Sequence, residues 1–290
     1  LLTRSAANPL FTLPAGIESK SQYVPHVCRV ANGDLWAVVK GDDTRSIHAW
    51  KSIDNGVSFV WQGIVIAPIG SGWEAHACLD PVIVYEASTD TVHYYWKGNQ
   101  TTTGYGGWSV GHGTAPGTNP MAVTRDPLNP LITPAAITSF FSGVTDANDL
   151  YLSDVIAEAS GILNAWGGFR SQTGQYRICR FRGLWNNLSP RVEGQVLPSS
   201  PWTFVQAPCV FATPSGWTMI FTEGHDSGAV GALHQMTATC LDDGNWAWAR
   251  TGNQFLSNNT AGGWDGGQCY VASLLKTGAR FMTPLLIDGA

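Results

Sequence analysis

The sequence is poor in charge, poor in helical periodicity and without a long apolar run, and each shortage removes a class of protein. Charged residues make up 13% of the 290, the net charge is −5, and Lys and Arg are scattered, so no basic patch marks a nucleic-acid partner. No apolar stretch approaches the ~20 residues that span a bilayer, so no membrane span is expected. Leu1 to Ala15 also lacks the basic start and apolar core of a secretory leader. The six cysteines (Cys28, Cys78, Cys179, Cys209, Cys240 and Cys269) include no close pair of the zinc-ligating kind. Cys28, Cys78, Cys209 and Cys269 lie in or beside apolar runs, so buried thiols in strands are expected rather than disulfides.

What is present is aromatic and rich in turn residues, with 13 Trp and 33 Gly. Short alternating or apolar runs are punctuated by Gly, Pro, Asn and Asp, the pattern of antiparallel strands joined by turns. Such a composition is far too ordered for a disordered chain. All-β folds of this length commonly form one unit.

The runs repeat. A small or polar residue leads into an apolar strand at Pro25-His26-Val27-Cys28, Leu79-Asp80-Pro81-Val82-Ile83-Val84, Ser153-Asp154-Val155-Ile156, Gln206-Ala207-Pro208-Cys209-Val210 and Gly267-Gln268-Cys269-Tyr270-Val271. After most of these openers a second strand follows, as at Leu35–Val39, Val92–Trp96, Leu163–Trp166 and Trp217–Phe221. Closing strands that end in Pro or a polar break lie at Ile64–Pro68, Asn129–Pro134, Gln195–Pro198 and Gln254–Ser257, with a fifth copy near the start at Asn8–Pro14. Five openers and five closers, spaced by roughly 50–75 residues, fit four-stranded propeller blades of ~40–50 residues plus insertions. The expected fold is therefore all-β, a single five-bladed β-propeller over 1–290, with blades at about 23–68, 72–134, 148–198, 201–257 and 264–290. The last blade is completed by the N-terminal strand 8–14, which closes the ring and shields sheet edges.

One hairpin is legible in detail. In Ser52-Ile53-Asp54-Asn55-Gly56-Val57-Ser58-Phe59, Asp54 can bond the turn's own amides and Gly56 can take positive φ. The stretch resembles the Asp-box of sialidases and related propellers, where the motif is structural.

In a propeller the first strand of each blade lines the central axis, so His26, Asp80, Asp154, Gln206 and Gln268 are expected to face a common pocket. Two carboxylates on one concave face are the raw material of general acid and base catalysis. Asp80 before a proline also suits a simple strand start, and Asp154 a solvated strand entry. Trp73, Trp96, Trp166 and Trp264 fall near the expected pocket rim. Indole packs on the apolar face of a sugar ring, although a Trp also serves as a wedge between blades. Arg170 and His225 are further candidates for contact with the sugar.

In order and context the openers resemble glycoside hydrolase family 43 and its five-bladed relatives in families 32 and 117. The resemblance covers roughly residues 75–225 by motif and the whole chain by blade count. It implies that Asp80, in Asp80-Pro81-Val82-Ile83, is a general base and that Asp154 orients the acid and tunes its proton affinity. It implies that the general acid stands at Gln206, in Gln206-Ala207-Pro208, where the family has Glu before Gly-Pro or Ala-Pro. Relatives also place a His near a central metal ion, so a structural ion such as calcium beside His26 fits the resemblance, with no cofactor required. An amide has no proton to give a leaving oxygen. Three explanations stay open: an engineered Glu→Gln change, a natural propeller that binds sugar without cleaving it, or an acid supplied elsewhere, Glu223 in Thr222-Glu223-Gly224-His225 being nearest.

The expected activity is thus hydrolysis of an oligo- or polysaccharide, with inversion, and the alternative is a non-catalytic carbohydrate-binding propeller of a secreted or viral adhesion protein. Scarce Lys and abundant Thr, Ser, Asn and Gly suit an extracellular or virion-associated location. A sialidase would need a cluster of arginines, a nucleophilic Tyr and usually six blades, a set that has no place here.

Overall fold

The computed structural model describes residues 14, 16–17, 22–41, 43–101, 107–141, 144–145, 147–158, 160–171, 174, 176–196, 204–214, 216–225, 229–238, 249–250, 273–277 and 280–285. Among them strand dominates. The first sheet runs β1 (Gln22–Arg29), β2 (Leu35–Gly41), β3 (Ser46–Ser52) and β4 (Val60–Ile66) in chain order. The second runs β5 (Ala77–Glu86), β6 (Thr91–Asn99), β7 (Ser109–Pro116) and β8 (Thr124–Arg125). Two more antiparallel sets follow: β9 (Ala147–Ala157), β10 (Leu163–Ser171), β11 (Tyr176–Leu184) and β12 (Asn187–Val196), then β13 (Phe204–Thr213), β14 (Gly216–His225), β15 (Ala229–Ala238) and β16 (Ala249–Arg250). A lone parallel pair, Tyr176 with Phe204, joins these two sets. β17 (Ser273–Thr277) and β18 (Arg280–Leu285) form a hairpin of their own.

The first strands of successive sheets touch: β1 packs on β5, β5 on β9, β9 on β13 and β13 on β17, while β17 also meets β1. Strands inside a sheet are covered on both faces. Six of the seven residues of β2 and of β3 are buried, whereas β4, outermost in its sheet, leaves Val60, Gln62 and Ile64 exposed. Sheets stacked face to face explain this, because a strand loses its polar-out alternation once both faces are covered. The core accordingly lies between neighbouring sheets. Val38, Ile47, Ile83, Tyr94 and Trp96 fill the first gap, Tyr95, Leu152, Phe169 and Phe181 the second, and Trp166, Ile178, Val210 and Phe221 the third. Each such side chain contributes roughly 1.5–3 kcal/mol by leaving water. The arrangement is propeller-like.

Local chemistry fixes the breaks between strands. At the β3–β4 turn Asp54 accepts the Ser52 hydroxyl at 2.7 Å, the Ser58 amide at 3.0 Å and the Ser58 hydroxyl, bonds that hold its carboxyl well below the usual range. Asn55 and Gly56 supply the positive φ of the turn. The stretch 129–134 departs from the closing strand expected there. The second sheet ends at β8 instead, Ile132 makes one bridge to Val110, and Thr133 caps a short helix, α1 (Pro134–Phe140), through the Ala136 amide at 3.3 Å. Thr followed by Pro is a helix-start pair, and it overrides the resemblance to the other closers. Residues 8–13, 254–257 and 264–271 lie outside the described residues. Cys28, Cys78, Cys179 and Cys209 are buried free thiols, and burial pushes the first three well above their usual proton affinity.

A polar chain runs across the second sheet, on the side where Trp185 of the third sheet packs. His93 lies 3.2 Å from Glu86 and 3.1 Å from His112, and His112 lies 3.2 Å from Asp126. Trp185, in the β11–β12 turn, stacks on His93 with 3.8 Å between ring centres. Burial, opposed by Glu86, pushes His93 down to about 4, and burial lowers His112 despite Asp126. An unfolded His titrates near 6.5. The folded value being the lower, the unfolded state binds more protons between these limits. Stability is therefore fully present above about pH 6.5 and declines as pH falls toward 4. The thermal midpoint followed from pH 7 to 4 should decline, and His93→Gln should flatten that decline; parallel curves for the two proteins would refute the assignment.

Candidate functional site

Four first strands interrupt their ladders at equivalent places: β1 does so between Tyr23 and His26, and three others share a further backbone feature. In β5, Leu79 pairs with Lys97 and Val82 with Tyr95, so Asp80 and Pro81 together oppose one residue. In β9, Asn148 pairs with Arg170 and Tyr151 with Gly168, which leaves Asp149 and Leu150 as the doubled pair. In β13, Gln206 pairs with Thr222 and Cys209 with Ile220, doubling Ala207 and Pro208. The first residue of each of these last three bulges has positive φ: 47° at Asp80, 50° at Asp149 and 50° at Ala207. A non-glycine residue held there costs about 1–3 kcal/mol, and such strain gathers at functional sites. Bulges also re-aim side chains, here in the same way on successive sheets.

Asp80 and Asp149 converge on Lys97 of β6. The ammonium nitrogen lies 2.7 Å from Asp80 Oδ2 and 2.5 Å from Asp149 Oδ1, and all three residues are buried. Tyr176 donates its hydroxyl to Asp149 Oδ2 at 2.6 Å, so both oxygens of Asp149 are occupied. Asp80 Oδ1, by contrast, has no hydrogen bond among the described residues. The Trp108 ring lies 4.6 Å and the Tyr151 ring 5.8 Å from the ammonium. Tyr151 Oη accepts the Ala207 amide at 3.1 Å, which ties the β13 bulge to the same cluster.

Burial pushes the Asp80 carboxyl up, but the charges of Lys97 and Lys40 and the hydrogen bond from Lys97 outweigh it, and the group stays below the ordinary range. For Lys97, burial pulls down while Asp149 and Asp80 prevail and raise it well above the usual value. Asp80 is thus charged at neutral pH and, among the described residues, unbonded on one oxygen. That is the condition of a base, not of an acid.

Asp154 belongs to a different layer. A further break, at Ser153, separates it from Asp149. Its carboxylate accepts the Val210 amide at 2.6 Å, lies 3.7 Å from His26 Nε2, and is 1% exposed. His26 Nδ1 accepts the Ile83 amide at 3.3 Å, so the other nitrogen carries the proton that faces Asp154. His26 and Asp154 together link β1, β5, β9 and β13. Among the described residues no three His, Cys, Asp or Glu side chains converge as a metal-ligand set.

The aromatic residues expected at the rim are placed differently. Trp96 is buried, with its Nε1 donating to Glu74 at 2.9 Å, and Trp166 is buried in the core of the third gap. Trp73 stacks on Trp96 at 6.0 Å and lies flat over Gly98 and Gly111, where an added Cβ would come within 2.3 Å of its ring. These three indoles are wedges, because sheets packed face to face need large flat side chains between them. Arg170 is closer to the cluster: its guanidinium lies 5.9 Å from the ring of Tyr176 and donates to Gly174 O at 3.1 Å. The backbones of Gln206, Glu223 and His225 lie on β13 and β14. The side chains of these three, and Trp264 and Gln268 entirely, are outside the described residues. Lys97, Asp149, Tyr151, Tyr176 and Trp108 had no place in the sequence reading.

No family model matches the chain, and no curated protein matches its sequence. Solved structures do match. The exo-β-1,3-galactanase of Phanerochaete chrysosporium superposes with a TM-score of 0.61 at 13% identity, over 89% of this chain and 55% of that one. A glycosyl hydrolase from Bacteroides ovatus gives 0.62 at 13% identity, over 89% and 78% of the two chains. This chain has their fold. A thermostable family-43 glycoside hydrolase agrees, with a TM-score of 0.62 at 14% identity, over 90% of this chain and 83% of that one. The chain spans about half the length of the galactanase. On this shared fold, Asp80 and Asp149 sit on the first strands of neighbouring sheets and Lys97 on a second strand.

Proposed function

We propose that the chain is a glycoside hydrolase of an oligo- or polysaccharide, built as a five-bladed propeller with Asp80 as general base. The observation that carries the reading is the convergence of Asp80 and Asp149, from two successive bulged strands, on one buried ammonium, next to the Gln206-Ala207-Pro208 bulge of the third. Asp80 has an oxygen that no described residue bonds, left for water in this reading, whereas Asp149, bonded on both sides, takes the orienting role that the family resemblance assigned to Asp154. Oxygens that share one nitrogen are closer than the ~6.5–9.5 Å between the working carboxyls of an inverting enzyme. The pair therefore comprises a base and its neighbour, and the acid position falls to Gln206. The contacts of β17 with both β13 and β1 support a fifth blade, which the 8–14 strand would complete. No cofactor enters this scheme, and the proposed setting is extracellular or virion-associated.

Gln206→Glu is expected to create or strongly raise hydrolysis on a panel of aryl glycosides and polysaccharides. No gain on any member of the panel would overturn the reading. One observation, the amide at the acid position, favours a second reading: a module that binds carbohydrate and leaves it intact. Saturable binding on a glycan array, with no product on long incubation of either protein, would establish it.

A further inference from the structure

We propose that Lys97 is the positioning residue of this site: its ammonium sets the separation of Asp80 and Asp149 and prevents the pair from sharing a proton. The inference rests on the reading above and extends it to a residue of β6, the second strand of its sheet, which contributes neither acid nor base. Lys97 is buried, and a buried ammonium is tolerated only when it is paired. One carboxylate would be enough for that. Two are present, from different sheets, each on a residue with positive φ, and both within direct hydrogen-bond reach of the same nitrogen. Two strained aspartates brought to one cation is an arrangement for placing the aspartates.

Among the described residues, the charged and titratable groups around the pair are Lys97 on β6, Lys40 on β2, Tyr151 on β9 and Tyr176 on β11, and of these Lys97 alone bonds both carboxylates. Two buried carboxylates without an intervening cation cannot both remain ionised, and one takes up a proton. That proton would reside partly on Asp80 and remove the base. Trp108 and Tyr151, packed against the ammonium, restrict its movement, so the spacing is held as well as the charge.

The test is a carboxyl titration by carbon NMR, with Asp80→Asn and Asp149→Asn used for assignment. In the unsubstituted protein Asp80 should take up its proton only below the ordinary carboxylate range. In Lys97→Met one proton per molecule should bind with a midpoint above about 6, and the step should disappear in Lys97→Met with Asp149→Asn. Ordinary titration near pH 4 in Lys97→Met would overturn the proposal. Lys97→Arg, which keeps the charge and changes the spacing, serves if the methionine variant does not fold. Placed in the Gln206→Glu protein, it should lower kcat at least tenfold with the acid limb of the pH profile unmoved, and an unchanged kcat would overturn the positioning role. A titration shift without hydrolysis by any variant leaves the role of Lys97 standing and removes the glycosidase reading.

Discussion

Asp80→Asn is expected to lower kcat of the Gln206→Glu protein by about 10²–10⁴-fold, the usual loss when a general base is removed, with little change in KM. The amide keeps the shape of the carboxylate and still accepts a hydrogen bond from Lys97, so the bulge and the positive φ at position 80 are preserved. What disappears is the basic oxygen, Oδ1, that no described residue occupies. Circular dichroism and unfolding should be close to those of the parent. Asp154→Asn distinguishes the two layers. Asp154 is 1% exposed and bonded to the Val210 amide, so its replacement should weaken the fold and leave the acid limb of the pH profile in place. Full activity of Asp80→Asn alongside an inactive but stable Asp154→Asn would reverse the assignment and restore the order drawn from the family resemblance.

The second large effect concerns stability. Glu74→Ala should cost about 3–5 kcal/mol in denaturant unfolding, the range for removing one partner of a buried ion pair. Glu74 is 1% exposed. Its Oε2 accepts the Trp96 indole N–H at 2.9 Å and the Cys78 thiol at 3.2 Å, and its Oε1 accepts Arg125 Nε at 2.7 Å. Arg125 also donates to the carbonyl of Ala67, just beyond the first sheet, at 2.7 Å. One carboxylate therefore joins the segment after β4 to β5, β6 and β8. Without it the Trp96 N–H is left buried and unpaired, a penalty of about 1–3 kcal/mol by itself. Because Arg125 is partly exposed and keeps access to water, the lower half of the range is expected. A loss below about 1 kcal/mol would mean that water replaces the carboxylate at each partner.

Strand order was largely legible because its signals are local. Runs such as Leu35–Val39 and Val92–Trp96 are β-branched or aromatic and bounded by turn residues, and they became β2 and β6. Asp80 was legible for a related reason: the proline after it marks a point where the ladder cannot continue, and Ala207-Pro208 marks another. Asp149 carries no such mark. Asp149-Leu150 breaks its ladder without a proline, so counting back from the apolar run selected Asp154, five residues further along the strand. The indoles at 96 and 166 read equally well as sugar platforms or wedges, since a side chain's neighbours across a gap between sheets are distant in sequence.

By itself, then, the amino-acid order determined that the chain forms short antiparallel strands in repeated sets, and that Asp80 and Gln206-Ala207-Pro208 lead equivalent strands. Alternation of side chains and turn chemistry act over a few residues and are written locally. Only the tertiary structure decided that Asp149 rather than Asp154 joins Asp80, that Lys97 stands between them, and that Trp73, Trp96 and Trp166 are packing. Each depends on a bulge that shifts which face a residue occupies, or on one sheet pressing against the next.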